Sequence, residues 1–407
     1  MNTKVTLIKP LWYQKPIIDA LSDTPHKYIT ACLSRRIGKS IVAKNMAVKW
    51  ALSTVCTIGY ITPTGDLSRK FIRELCTKLN GSSAIKNSSI VDKYIQFTNG
   101  SIMYFMSAES GDSNRGNGYK YLIYDEAAFI GEDVYMSVFK PMELQASKVL
   151  SISTPNGAKG FFYERFSYGN DKTDKHKRYI SYMCTLEECG LYDKDTIQEI
   201  KDSSTRMVYQ QEYMCVFVNG GISCFGNIDN MVLKSEAEQN TKLFAGIDFS
   251  GDGSDETVLT IVNSKYEMVF QKCYKIGNSE SIDDMSEILN KYKVFFCYAE
   301  SNSMGAISID YMSKDFKKVE GYATTNESKR EYVENVIRNF EHNIGGIIDD
   351  DNTKLQFNSF VMKYTPTKKI TYSNISDNIH DDRVISYCLA CLACKNKGHV
   401  GVYCIND

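Results

Sequence analysis

No apolar run in this 407-residue chain approaches the roughly 18 to 20 residues that a membrane-spanning helix needs. The opening, MNTKVTLIKPLWYQ, also has no long apolar segment of the secretory kind. These two absences predict a cytosolic protein with no membrane partner. Net charge is nearly missing as well, at −1, so any nucleic acid must be met by a local basic surface rather than by the field of the whole molecule. Low-complexity sequence is absent, and 43% hydrophobic with 12% aromatic residues exclude a disordered chain. The 13 cysteines show no disulfide-framework spacing, which predicts free thiols in a reducing compartment. Cys388, Cys391 and Cys394 fall on one face of a predicted helix, VISYCLACLACK. Small apolar residues on such a face pack against a sheet, so a core role is expected in place of zinc.

The length suits two domains, each large enough to bury its own core. The Gly, Asn and Ser content from Asn219 to Asn230 reads as a hinge. The expected division is a first domain over residues 1–218, a linker over 219–239 and a second domain over 240–407.

The stretch CLSRRIGKSIVAKNMAV, Cys32 to Val48, lacks one thing a phosphate loop normally has: Leu33 stands where the first glycine belongs. What is present still fits. HKYITACLS predicts a strand, and an apolar helical pattern follows from about Lys39 to Ala51. In that context Ser34, Arg35, Arg36, Ile37 and Gly38 form a loop whose backbone N–H groups can wrap phosphates. Lys39 neutralises β/γ charge, and the Ser40 hydroxyl holds Mg²⁺. A strand in YKYLIYDEAAFIG ends in two adjacent carboxylates. Asp125 would bind Mg²⁺ through water, and Glu126 would act as general base on the attacking water. A third strand, in KVLSISTPNGAKGFFYERF, ends in Ser153, Thr154, Pro155 and Asn156. Hydroxyls and an amide there are suited to sensing the γ-phosphate, and a plain turn is the alternative. The implied cofactors are ATP and Mg²⁺.

The second half opens with KLFAGIDFSGDGSDETVLTIVN, read as a β-hairpin around a Gly-rich acidic turn. A third strand (YEMVFQKCYKI), a helix (SIDDMSEILNKY) and a buried fourth strand (KVFFCYAESNS) follow. Three antiparallel strands, a helix and a strand give the order of a ribonuclease H-like domain. Asp248 is expected in the middle of the first strand, Glu300 at the end of the fourth, and Asp381 and Asp382 at the start of the helix HDDRVISYCLACLA. Such acids can hold two divalent ions, Mg²⁺ or Mn²⁺, roughly 4 Å apart for phosphodiester cleavage. Helix capping is the competing explanation for Asp381 and Asp382. Asp255 in the hairpin turn is a further candidate ligand, while Asp252 is expected only to solvate the turn. NESKREYVENVIRNFEHN predicts a basic amphipathic helix, and VMKYTPTKKITYS interleaves Lys363, Lys368 and Lys369 with tyrosines. Both read as solvated faces, or as a surface that tracks the phosphates of duplex DNA.

Taken together, LSRRIGKS, YLIYDEAAFI and STPNG before an aromatic helix resemble the large terminase subunit, the DNA-packaging motor of tailed bacteriophages. The resemblance runs from Trp12 to about Lys395. It implies an α/β chain: an N-terminal P-loop ATPase domain of the ASCE type with a mainly parallel sheet, and a C-terminal ribonuclease H-like nuclease domain with a mixed sheet. It implies that Gln14, beside Tyr13 in LWYQKPIID, contacts adenine. It also implies that Arg115 in SNRGNGYKYLIYDE acts across a subunit interface, and that Arg35 is the catalytic arginine of the loop. Double-stranded DNA, the portal protein, the small terminase subunit and a homo-oligomeric ring are the implied partners. The implied location is the host cytoplasm and, transiently, the procapsid. The short stretch ahead of Gln14 implies that the family's region for contacting the small subunit is absent or placed elsewhere. Two other classes share part of the pattern. A helicase-like repair ATPase would need a second motor domain, and a ribonuclease H-like transposase or resolvase has no use for a phosphate loop.

Overall fold

The computed structural model describes residues 7–79, 82–110, 118–171, 173–218, 223–249, 256–275, 279–302, 305–376 and 379–398. The chain forms two units: Met1–Gly220 with Tyr364–Lys369, and Gly221–Lys363 with Ile370–Asp407. Tyr364–Lys369 thus goes with the first unit, although sequence pattern assigns everything after residue 240 to the second. A turn belongs with whatever its side chains pack against, and local pattern does not report that.

The first unit is built on eight strands: β1 (Tyr28–Leu33), β2 (Thr57–Thr62), β3 (Ile85–Ser89), β4 (Tyr94–Phe97), β5 (Ile102–Ser107), β6 (Tyr121–Asp125), β7 (Lys148–Ser153) and β8 (Tyr179–Cys184). Their order in the sheet is β3-β4-β5-β2-β6-β7-β1-β8. Pairing is parallel from β5 across to β8 and antiparallel only at β3 and β4. Parallel strands are covered on both faces and read as unbroken apolar runs. β1, β2 and β7 follow that rule, each buried at every position after the first. Ile29, Ile58, Ile123 and Leu150 from four of these strands share one core. Register brings three strand ends together: Cys32 pairs with Ser153, and Asp125 with Ile152.

One buried ion pair ties this sheet to its flanking helix. Arg165, in the helix Gly160–Asn170, donates to Glu143 Oε1 at 2.6 Å, to the Tyr135 hydroxyl at 2.8 Å and to Ser151 Oγ at 3.0 Å. Its guanidinium lies 5.0 to 5.6 Å from the ring centres of Tyr28, Tyr124, Tyr135 and Phe161.

In the second unit β9 (Phe244–Asp248), β10 (Thr257–Val262), β11 (Met268–Tyr274), β12 (Phe296–Glu300) and β13 (Val319–Tyr322) form a mixed sheet in the order β11-β10-β9-β12-β13. β9–β10 and β10–β11 are antiparallel, while β9–β12 and β12–β13 are parallel. The helix Ser279–Lys291 connects β11 to β12. A separate pair, β14 (Phe360–Tyr364) and β15 (Ile370–Asn374), follows. The last described helix, Asp382–Gly398, packs directly on β9 at Gly246, where a Cβ would collide with the Ser386 carbonyl and the Ala390 amide. Only glycine permits so close an approach. Cys388, Cys391 and Cys394 are buried, free thiols on this helix. Among the described residues, no helix is long and apolar enough to cross a membrane.

Candidate active sites: a phosphate loop and a carboxylate cluster

In the first unit the chain leaves β1 at Leu33 and turns through Ser34–Gly38 into the helix Lys39–Ser53. Arg36 and Gly38 both adopt positive φ, 66° and 84°. Gly38 meets that demand without cost, whereas Arg36 does so under strain. Lys39 is buried, and its ammonium curls back to donate to the Ser34 carbonyl at 3.0 Å. Burial lowers its proton affinity, Glu126 opposes that, and Lys368 adds to it. From beneath, the Tyr13 hydroxyl donates to Ile37 O at 2.6 Å, and Gln14 Nε2 lies 3.4 Å from the same carbonyl. Gln14 is therefore a buried prop of the loop. The Arg35 and Arg36 side chains are exposed. The Arg35 amide bonds to Glu212 O at 2.9 Å, and Arg36 O accepts from the Tyr192 hydroxyl at 3.0 Å.

Asp125, the last residue of β6, is fully buried. Tyr60 from β2 donates to its Oδ2 at 2.7 Å, and its Oδ1 has no hydrogen-bond partner among the described residues. Burial and the adjacent Glu126 charge push this acid up to about 6, tempered by the hydrogen bond from Tyr60. Glu126 follows in the left-handed region, φ 59° and ψ 43°, a costly conformation for a residue with a side chain. Burial would raise Glu126, but Lys368 and Lys39 overcome it and hold the carboxyl below its usual range. Ser153, at the end of β7, donates to Glu126 Oε2 at 3.4 Å, and Asn156 Nδ2 donates to Ala128 O at 3.1 Å. The buried Thr154 hydroxyl has no partner among the described residues. The end of β7 thus reaches Glu126 through Ser153. Two buried oxygens without partners at adjacent strand ends fit a hydrated Mg²⁺ ion and a phosphate group. Arg115 lies outside the described residues.

In the second unit Ile247 pairs with Ala299, so the next residues, Asp248 and Glu300, end their parallel strands side by side. Asp248 is the last residue of β9, not its middle, and the pairing of β9 with β12 ends one residue earlier, at Ile247. It is buried, and its proton is held far above the carboxylate norm: by burial first, then by hydrogen bonding to and repulsion from Glu300, then by Asp382 and Asp381. Glu300 is thus the nearest of these acids to Asp248, and Asp381 and Asp382 act on it electrostatically. The Asp381 carboxylate pairs with the Lys329 ammonium at 2.8 Å, Asp382 Oδ2 accepts the Glu256 amide at 2.7 Å, and Glu300 Oε1 accepts from Asn302 Nδ2 at 3.2 Å. Among the described residues no three His, Cys, Asp or Glu side chains are gathered tightly enough to hold an ion as they stand. The donor chemistry, hard carboxylate oxygen throughout, fits Mg²⁺ or Mn²⁺. Asp255 lies outside the described residues, as does Asp252.

Sequence pattern did not single out Tyr60 or Lys329, and it gave Lys368 only a surface role. A tyrosine in the otherwise aliphatic core of β2 is one signal. Lys329 stands in the first turn of the helix Asn326–Glu341, where the helix dipole disfavours a cation, and that mismatch is another. Lys368 has no local signal.

One chain thus carries a mainly parallel sheet with a phosphate-loop-like turn and a separate mixed sheet whose strand ends bear acids. Residues 31–229, just under half of the chain, match the family model for the N-terminal part of the T4likevirus-type large terminase subunit. It is 32% identical over 233 residues to the terminase large subunit of Escherichia phage T5, covering 55% of this chain and 52% of that one. The match thus spans about half the length of that curated relative. The fold is shared with the large terminase of a thermophilic bacteriophage over 94% of this chain and 99% of that one, with TM-score 0.53 and 15% identity. The same thermophilic-phage protein in complex with ATP-gamma-S superposes with TM-score 0.51 and 15% identity over 93% of this chain and 98% of that one.

Proposed function

We propose that this chain hydrolyses ATP in its first unit to drive double-stranded DNA into a procapsid, and cuts concatemeric DNA in its second. The observation that carries the first half is the phosphate loop set beside Asp125, whose Oδ1 is buried without a partner among the described residues. The ATP-gamma-S complex of the thermophilic-phage relative supports the same reading. In this scheme the backbone of Ser34–Gly38 and the ammonium of Lys39 take the phosphates, and Ser40 with Asp125 holds Mg²⁺. Glu126 orients the attacking water and accepts its proton. Arg35 and, from a neighbouring subunit, Arg115 offset charge developing on the transferring group. Gln14 acts at the adenine side of the loop, and Ser153, Thr154 and Asn156 register loss of the terminal phosphate.

In the second unit Asp248, Glu300 and Asp381 are the ligand set, with Asp382 and Asp255 as supporting ligands. Divalent ions bound there supply an acidified water and stabilise the leaving 3′ oxygen. Burial, and then repulsion from the neighbouring acids, raises Asp248, and a bound cation would offset that repulsion. The implied partners are a portal protein, a small terminase subunit and further copies of this chain in a ring, and the implied place is the host cytoplasm and the procapsid. The decisive experiment is plasmid cleavage in Mg²⁺ or Mn²⁺ by wild type and Asp248→Ala, with ATP hydrolysis followed in parallel. Equal cleavage by the two proteins would dismiss the nuclease assignment.

A further inference from the structure

The turn between β14 and β15 belongs to the first unit, and it is built to deliver one side chain. Thr365 N bonds to Lys369 O at 2.9 Å, Lys368 N to Thr365 O at 2.8 Å, and Lys369 N to Thr365 Oγ1 at 3.0 Å. Lys368 takes a positive φ of 63°, a conformation that is unfavourable for a residue with a β-carbon. Its ammonium lies 4.4 Å over the Phe129 ring and forms an ion pair with Glu126. The Tyr364 ring meets Phe129 edge-on at 5.7 Å. Only 24% of the Lys368 side chain and 15% of Glu126 is exposed. A solvated lysine would gain nothing from this strained, screened placement. The outcome also differs from the DNA-facing surface that its sequence neighbourhood suggests.

Lys368 also acts electrostatically on Lys39, the lysine of the phosphate loop. Lys368 thus pairs directly with Glu126, and Lys39, whose ammonium is held on the Ser34 carbonyl, also acts on that carboxylate electrostatically. Glu126 is the acid with which Lys368 pairs among the described residues, and an arriving terminal phosphate carries more negative charge than a carboxylate.

We propose that Lys368 is a ligand of the terminal phosphate of a nucleoside triphosphate: it is held on Glu126 while the site is empty and passes to the phosphate when the triphosphate binds, freeing the glutamate for the water. A diphosphate, which lacks that group, leaves the Lys368–Glu126 pair in place. This rests on the ATPase reading above.

The test uses the full chain. A carbodiimide joins an ammonium and a carboxylate that already touch, and peptide mass spectrometry identifies the Lys368–Glu126 amide. The expected result is a cross-link in nucleotide-free protein, retained with ADP and lost with saturating ATP-gamma-S and Mg²⁺. Nucleotide binding is measured on the same samples. A cross-link that persists while ATP-gamma-S is bound overturns this inference alone, and so does its absence from the empty protein. Failure to bind either nucleotide overturns the ATPase reading together with it. In a second arm, Lys368→Ala weakens ATP-gamma-S binding about tenfold or more, as loss of a charged hydrogen bond implies, and leaves ADP binding unchanged, while Lys368→Arg retains most of the triphosphate affinity. Equal weakening for both nucleotides would show a merely structural lysine and reject the proposal.

Discussion

Tyr60 donates a 2.7 Å hydrogen bond to one oxygen of Asp125, and the other oxygen of the same carboxylate is buried with no hydrogen-bond partner among the described residues. Half-satisfied burial of an acid is costly. The fold tolerates it at the end of a central strand, a placement that suits the metal role proposed for this acid.

Asp125 rises from its ordinary 3.8 to about 6, through burial and then through Glu126. Its proton is thus held more tightly in the folded than in the unfolded chain. Below about pH 4 both states are protonated and the acid costs nothing; as pH climbs through 6 the folded chain must ionise it, and stability is lost. Asp125→Asn should therefore be more stable than wild type at pH 7.5 without nucleotide or Mg²⁺, by on the order of 1–3 kcal/mol, with the difference vanishing near pH 4. Urea unfolding at the two pH values checks this, and a wild type that is the more stable at pH 7.5 would contradict it.

Glu126→Gln should abolish ATP turnover while ATP still binds, because Lys39 and the loop backbone are untouched. Loss of one general base costs on the order of 10² to 10⁴ in rate. A phosphate-release assay beside equilibrium nucleotide binding separates the two effects. Turnover at the wild-type rate would remove Glu126 from its assigned role.

Asp248→Ala and Glu300→Ala should each eliminate plasmid cleavage and spare ATP hydrolysis, since the two sets of residues lie in different units. Without metal, Asp248→Ala should also unfold at a higher temperature at neutral pH, because it relieves repulsion among four acids. Agarose gels and thermal melts in EDTA read out both expectations. Cleavage that survives both substitutions would show that the acids are structural.

Arg165→Met should destabilise the first unit by about 3–5 kcal/mol, because it strands Glu143 as a buried, unpaired charge. Replacing Arg165 and Glu143 together by apolar residues should recover much of that loss. Denaturant midpoints of the single and double variants test the pairing. A single variant as stable as wild type would mean that the pair carries no net burden.

Strand ends were legible because their chemistry is local: an apolar run stopping at Asp125 and Glu126, or at Glu300, announces itself in a few residues. The order of β9 to β12 was legible for the same reason. Tyr60 and Lys368 were not, because each reaches the phosphate site from a separate stretch of chain, and only tertiary pairing of β2 with β6 or the packing of the 364–369 turn brings it there. Asp248 was misplaced by a few residues because the apolar pattern of FAGIDF continues past the point where pairing with β12 ends. The Gln14 amide faces the carbonyls of Ile37 and Gly38, a contact that no spacing rule discloses.

Gly246 carries no functional atom, but it sets how near the helix bearing Asp382 can come to the strand ending in Asp248. A methyl group at this position works as a shim, lifting one wall of the carboxylate cluster off the other while every acid stays in the chain. A saturation mutagenesis scan scored on DNA cutting would consequently rank this glycine with the acids, and a tally of reactive side chains alone would pass it over.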